Sequence, residues 1–384
     1  MESARYRSFV VRAWGAGTEG GRVSRVLVEE VQSGRRVELR GDQAQVIAHG
    51  IISALAGHDD PNGSRATPSE STNDGRPSGR GERTVILVVG ATGMLGGEIC
   101  RRLSAAGLPV RGLVRQTSAP DAVAALRSAG VETVEGDLRD PGSLATACEG
   151  ASAVITTVTA VSSYRPGTND LLTTDTTGTM HLIDAAADAG VGQFVYTSFS
   201  GNLELDMPLR SAKRAVEAHL RASGMGYTIL RPSYFMQIWL GPAVGFQPAQ
   251  AKAVIYGPGT ERISWIAVGD VAAFAVRSLG DPAARDAILE LGGPEALSPL
   301  EVVRIFEEVG GRTFEIEHVP VDILATQQAT SSDPLAQSYA GLMRCAAMGD
   351  RIDMTATLRD FPVQLTSVRQ YAEAVLLKVP VEAR

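Results

Sequence analysis

The sequence predicts an α/β fold: a doubly wound parallel sheet with helices on both faces, a small C-terminal lobe and a short β-rich N-terminal appendage. Three observations carry this expectation. From Thr84 onward, short β-branched apolar runs alternate with amphipathic helical patterns, as buried parallel strands joined by helices do. Evenly spaced glycines, VVGATGMLGGE, stand at the first such junction. Before Thr84 the pattern differs, with strand-like segments followed by a stretch that has almost nothing apolar to bury.

Taken in chain order, Phe9–Trp14, Arg22–Val31 and Arg36–Leu39 are expected strands, and RVSRVLVEEV alternates like a half-buried antiparallel sheet. Asp42 suits the N-cap of a helix running to Leu55. Residues 1–57 thus form a small module of marginal size, able to dock a protein partner or pair two copies of the chain. Residues 58–83, rich in Gly, Pro, Ser and Asn, read as a flexible linker. VILVVG then opens the main sheet, followed by a helix over Met94–Ala106, VRGLV, a helix around Pro120–Ala129, VETVEGD and ASAVITTV. A helix over Thr176–Ala189, QFVYTS, a helix over Ser211–Ala222 and YTILRP continue the alternation. This doubly wound domain spans 84–324, with a smaller lobe mainly in 233–324 and a helical extension of that lobe in 325–384.

Composition narrows the function. Of 384 residues, 44% are hydrophobic and 21% charged, enough apolar material for a sizeable core. A net charge of -7 and an aromatic content of 5% argue against a nucleic-acid partner. The three cysteines, Cys100, Cys148 and Cys345, are too scattered for a disulfide framework or a metal cage, and no two histidines share helical i, i+4 spacing. No metal site is expected. No apolar run has the length of a membrane span, and MESARYRSFV lacks a signal peptide's apolar stretch. A cytoplasmic protein with a small-molecule substrate and no membrane partner is expected.

The glycine turn is the most informative segment. Gly90 permits the tight exit from a strand, Gly93 lets the backbone approach a pyrophosphate, and Gly96 lets the helix pack on the sheet. Thr92, Met94 and Leu95 complete the expected phosphate contact. After the second strand an acid would favour NAD, through the ribose 2′-OH, whereas an arginine would favour the 2′-phosphate of NADP. Arg115 stands there with Gln116, Thr117 and Ser118, and no acid closes the strand, so NADP(H) is expected over NAD(H). Thr157 and Val158 end the fourth strand, beside the expected path of the cofactor.

GATGMLG, VRGLVR, EGDL, DTTGTMHLIDAAADAGVGQFVYTS, SAKRAVEAHLRASGMGYTILRPSYF and AVGDVAAFAVRSL follow one another between about Thr84 and Leu324. Together they resemble the NmrA-like branch of the atypical short-chain dehydrogenase/reductases, NAD(P)-binding Rossmann proteins. The resemblance implies that Asp137 and Leu138 meet the adenine, Lys213 the nicotinamide ribose with Thr197 at the strand end on the cofactor, and Pro232 and Ser233 the carboxamide. It also implies a catalytic Tyr four residues before the Lys and a Ser orienting the substrate. Ser198 and Lys213 are present, but the residue four before Lys213 is Leu209.

Two function classes follow. One is an NADPH-dependent oxidoreductase acting on a small apolar carbonyl, enone or quinone, with Lys213, Ser198 and Tyr164 as catalytic candidates and Tyr234 as a further proton source. Tyr234, Phe235, Met236 and Trp239 would then wall its substrate pocket, unless they are core residues of the lobe. The other is a redox sensor that binds the dinucleotide without turnover and signals through a protein partner.

Overall fold

The computed structural model describes residues 85–161 and 170–377, together with the backbone of four N-terminal strands. The chain divides into two compact units, residues 1–79 and 80–384. In the first, β1 (Glu2–Tyr6), β2 (Phe9–Trp14), β3 (Arg25–Glu30) and β4 (Arg36–Arg40) form an antiparallel meander. Strand β1 was not anticipated, because Arg7 and Ser8 between it and β2 are not the Gly or Asn that marks a tight hairpin. The helix expected over 42–55 and the linker lie outside the described residues.

In the second unit β5 (Val85–Val89), α1 (Met94–Ala105), β6 (Val110–Val114), α2 (Pro120–Ser128) and β7 (Glu132–Glu135) form the first half of a parallel sheet with its crossovers. Helix α3 (Pro141–Cys148), which the sequence pattern did not reveal, leads to β8 (Ala151–Thr156). It has only eight residues, started by the Asp140 side chain accepting the Gly142 N–H and by Pro141 in its first turn. After β8 come α4 (Thr177–Asp188), β9 (Gln193–Thr197), α5 (Pro208–Ala222), β10 (Gly226–Pro232), α6 (Met236–Trp239), β11 (Phe246–Gln247) and β12 (Lys252–Tyr256). Then α7 (Val268–Ser278), β13 (Ala287–Leu291), α8 (Pro299–Gly310), β14 (Glu315–Val319) and α9 (Val321–Thr330) follow. Helices α10 (Pro334–Met348), α11 (Thr355–Asp360) and α12 (Val368–Leu377) end the described chain.

The seven-stranded sheet has the order β13-β10-β9-β8-β5-β6-β7, and every pairing is parallel. Side chains alternate across it as strand geometry requires. On β5, Ile86 and Val88 enter a core with α1 and α7, whereas Val85, Leu87 and Val89 enter another with α3, α4 and α5. The second layer is a small lobe built on the sheet β11-β12-β14, with its own core around Phe246, Phe306 and Trp265. The lobe does not occupy 233–324 continuously. Helix α7 and strand β13 return to the main sheet, where Phe274, Leu289 and Leu291 complete the first core.

Phe274 is 1% exposed at the centre of that core. Phe274→Ala should lower the unfolding free energy in urea by about 3–5 kcal/mol, the cost of an uncollapsed aromatic cavity.

Candidate functional site

Strand order reverses between β5 and β8, and open parallel sheets bind ligands in the crevice at such a point. Gly90 leaves β5 with φ +86°, and a Cβ on it would lie 2.6 Å from Thr157 Oγ1 beyond β8. A Cβ on Gly96 would fall 2.2 Å from the Gly90 carbonyl oxygen. Contacts inside the protein therefore require both glycines. Gly93 is different: it is exposed, caps α1 without a side-chain bond, and a Cβ there would come no nearer than 3.2 Å to the Gly90 oxygen.

The bond from the Gly97 N–H to the Gly93 carbonyl, 2.8 Å, opens the helical ladder, and the amides of Met94, Leu95 and Gly96 precede it as the unpaired start of α1. No acid stands in that first turn, so the positive end of the helix is left for an anion. Met94 is 54% exposed, with Thr92 and Leu95 half-buried beside it. At the neighbouring strand ends, Thr156 Oγ1 and Thr197 Oγ1 are buried with no hydrogen-bond partner among the described residues. The uncapped helix start suits an anionic ligand, and the two orphaned hydroxyls mark the ends of β8 and β9.

Arg115 follows β6. Its backbone is set by a turn in which its N–H donates to Ser118 Oγ and the Ser118 N–H donates back to its carbonyl, both at 2.9 Å. Its guanidinium has no hydrogen bond or ion pair among the described residues. Asp137 follows β7, and Arg139 grips both of its oxygens, with Nε–Oδ1 2.9 Å and Nη2–Oδ2 2.7 Å. Arg139 holds the carboxyl below its ordinary range, burial opposes this, and the Arg115 charge adds to the lowering. Leu138 beside it is buried.

The ends of β8 and β9 converge on Lys213 of α5. Its Nζ lies 3.1 Å from Asp175 Oδ1 and donates to the carbonyls of Val158 (3.2 Å) and Thr197 (3.4 Å). The ammonium also stands 5.2 Å from the centre of the Tyr196 ring. Asp175 Oδ2 accepts the Ala160 N–H at 2.7 Å. The side chains of the pair are 5% and 0% exposed. Asp175 belongs to a π turn, Leu171–Thr176, just before α4, a widening often found at functional sites. Sequence reasoning missed Asp175, and its place in the polar run TNDLLTTDTTG offered only a weak signal.

Ser198 is buried, and its hydroxyl donates to Glu217 Oε1 at 2.6 Å, so a substrate does not have that proton to itself. Glu217 is also held by Arg231 (Nε–Oε1 3.0 Å) and Arg214 (Nη1–Oε1 2.5 Å). Burial pushes the Glu217 carboxyl up, but Arg231, Ser198 and Arg214 outweigh it and hold the group below the ordinary value of 4.5. Ser233 Oγ donates to Asp350 Oδ2 at 2.6 Å, and Ser200 Oγ to Asp350 Oδ1 at 2.7 Å. Pro232 ends β10 beside them.

The expected apolar wall is mostly lobe core. Tyr234 and Met236 are buried in it, with Tyr234 edge-on to Trp239 at 4.6 Å and its hydroxyl donating to the Leu342 carbonyl at 3.1 Å. Burial raises the Tyr234 phenol well above its ordinary pKa. Phe235 packs against the sheet core, and Trp239 lines a cavity of about 30 Å³ with Tyr256 and Trp265. Leu209 is buried among Ala160, Leu171 and Leu335. Tyr164 lies outside the described residues. Among the described residues no His, Cys, Asp and Glu cluster could hold a metal, and no helix is long and apolar enough to cross a membrane.

Sheet order, glycine turn and strand-end crevice define a Rossmann-type α/β protein with a small lobe appended. Residues 82–358 match the model of the NmrA-like family, and the chain belongs to that family. It is 33% identical over 264 residues to an NAD(P)H azoreductase of Xenophilus azovorans, covering 67% of this chain and 85% of the relative. With an isoflavone reductase homolog of Zea mays it shares 30% identity over 292 residues, 71% of this chain and 90% of the relative. The NADPH-dependent quinone oxidoreductase of Escherichia coli, solved with NADPH, superposes with a TM-score of 0.61 at 22% identity, covering 76% of this chain and 99% of that one.

Two outcomes test the buried groups. Lys213→Met would strand Asp175 without a counter-charge and should cost about 3–5 kcal/mol of stability by thermal or urea unfolding, whereas a solvated lysine would cost almost nothing. For Glu217 the depressed folded pKa means that its stabilisation is present above the ordinary value of 4.5 and lost as pH falls through the folded value. The stability gap between wild type and Glu217→Gln should therefore be widest near neutrality and close below about pH 4.5. A gap that stays constant down to strongly acidic pH would count against this network.

Proposed function

We propose that this chain is an NADPH-dependent oxidoreductase acting on a small apolar carbonyl, enone or quinone in the cytoplasm. The observation that carries the reading is the uncapped start of α1 behind Gly93, with its unpaired amides at the point where strand order reverses. These groups fit a dinucleotide: the amides of residues 94–96 would hold the pyrophosphate, with Thr92, Thr157 and Val158 beside it. Leu138 and Asp137 would meet the adenine, Thr197 and Lys213 the nicotinamide ribose, and Pro232 and Ser233 the carboxamide. The Arg115 guanidinium supports NADP(H) over NAD(H): among the described residues it makes no hydrogen bond or ion pair, and it acts on the Asp137 carboxylate only through its charge. The azoreductase and the quinone oxidoreductase, each named for use of a reduced nicotinamide dinucleotide, support the reductase class.

When bound, the reduced nicotinamide supplies a hydride. The chain's own part is to position and to exclude water. Lys213 fixes the ends of β8 and β9, with its donors directed to Asp175 and two carbonyls. That makes it a positioning residue more than a proton donor. Leu209 and its apolar neighbours keep water from the crevice on that side. The same observation favours the second reading, a dinucleotide-binding sensor signalling to a protein partner, because no proton source stands at position 209. NADPH oxidation across a panel of quinones, enones and azo compounds separates the two.

Arg115→Ala should weaken NADPH about ten- to hundredfold and leave NADH unchanged, the loss of one charge-assisted phosphate contact. Gly93→Val should weaken both cofactors while the unfolding temperature stays near wild type. Equal NADPH and NADH affinities in wild type would remove the preference for NADP(H).

A further inference from the structure

The proposed reduction requires a proton, and neither Leu209 nor the fully engaged Lys213 is placed to give one. A phenol nevertheless stands beside position 209, carried there by α10. The Leu209 N–H donates to Ser338 Oγ of that helix at 3.1 Å. Leu335 and Leu342 of α10 pack with Leu209, Ala160 and Val161 in one apolar cluster. Residues 335, 339 and 342 follow helical i, i+4, i+7 spacing and share a face, so Tyr339 lies on the side of α10 turned toward that cluster. Its hydroxyl donates to the Val161 carbonyl, a single bond that a substrate oxygen could replace, whereas Lys213 would have to leave a buried carboxylate.

Val161 adjoins Ala160, whose N–H binds the Asp175 carboxylate that pairs with Lys213. The residue that accepts from the phenol is thus the chain neighbour of the one bonded to the buried pair. Tyr339 is also 37% exposed, unlike the sealed phenols of Tyr196 and Tyr234 at 1% and 3%. A residue open to solvent on one side can be reprotonated from water; a sealed one cannot.

We infer that Tyr339 is the proton donor of the reduction, supplying from α10 the phenol that α5 lacks at position 209. This rests on the reductase reading. As the substrate accepts a hydride from NADPH at carbon, its π electrons pass to oxygen. The Tyr339 O–H bond breaks as the new O–H bond forms. NADPH is thereby oxidised to NADP⁺, the substrate is reduced, and the phenolate regains its proton from water. Burial first, then the Asp333 carboxylate, raise this phenol above the ordinary value of 10, so it carries its proton at neutral pH.

Tyr339→Phe keeps the ring and removes only the hydroxyl. Protein loaded with NADP⁺ cannot reduce a para-quinone, so calorimetry reads the hydroxyl contact apart from turnover. The quinone should bind about three- to tenfold more weakly to Tyr339→Phe, as for one lost hydrogen bond. NADPH affinity should be unchanged, and kcat with NADPH should fall more than about tenfold. Unchanged quinone affinity and unchanged kcat in a folded variant would overturn the role of Tyr339 and leave the reductase reading standing. Weaker binding with kcat retained would make Tyr339 a binding residue and overturn its role as donor. A wild type that binds NADPH but neither binds nor reduces any quinone, enone or azo compound would overturn both.

Discussion

Lys213 and Asp175 form an ion pair taken almost entirely out of water, with side chains 5% and 0% exposed. Desolvating two such charges costs several kcal/mol each, and attraction offsets that only when the remaining donors and acceptors are also satisfied. Here the strand ends supply partners to Nζ and to Asp175 Oδ2, while Asp175 Oδ1 meets only the ammonium. Nζ takes the Val158 and Thr197 carbonyls, and Asp175 takes the Ala160 N–H. The pair therefore holds α5, the π turn, and the carboxyl ends of β8 and β9 in one arrangement. The crevice exists in its observed form because these four pieces cannot shift independently.

Two more buried carboxylates extend the same device across the sheet edge. Glu217, one helical turn beyond Lys213, accepts from Ser198 after β9 and from Arg231 on β10. Arg231 continues to Glu290 on β13 at 3.0 Å, which in turn accepts the Gly201 N–H at 2.9 Å. Asp350, 1% exposed, accepts from Ser200, Ser233 and Asn202, so the loops after β9 and β10 are tied to the C-terminal segment by neutral donors. Networks of this kind stiffen a site when each member is satisfied. They also explain why Ser198 and Ser233 are buried at the strand ends: both hydroxyls serve carboxylates behind the crevice wall.

The parallel sheet was legible because its strands are buried on both faces, which makes the apolar runs short, β-branched and sharply bounded. The glycine turn was legible because Gly90 and Gly96 are demanded by contacts of 2.6 and 2.2 Å that no other residue tolerates. Lys213 could be picked out from its helix, but not its burial, since the partner Asp175 comes from a distant turn with no shared periodicity. Tyr234 and Met236 read equally as pocket or core, because apolar spacing does not say which side of a short helix faces solvent. The return of α7 and β13 to the main sheet was hidden for a similar reason. Their apolar content suits either layer, and only the parallel register of β13 on β10 decides it.

Position 209 shows how one substitution of chemistry reorganises its neighbours. A phenol there would need a polar partner once buried. Leucine needs only apolar contact, which it finds in Ala160, Leu171 and Leu335. In the proposed reaction, charge developing beside this apolar cluster would be poorly stabilised unless it is spread out or neutralised at once. The proposed substrate class accords with the same packing. A conjugated carbonyl or quinone delocalises the charge left by hydride addition, whereas an isolated ketone concentrates it on one oxygen. Under the proposed reading, an apolar cluster next to a buried ion pair would favour flat, conjugated ligands over small polar ones.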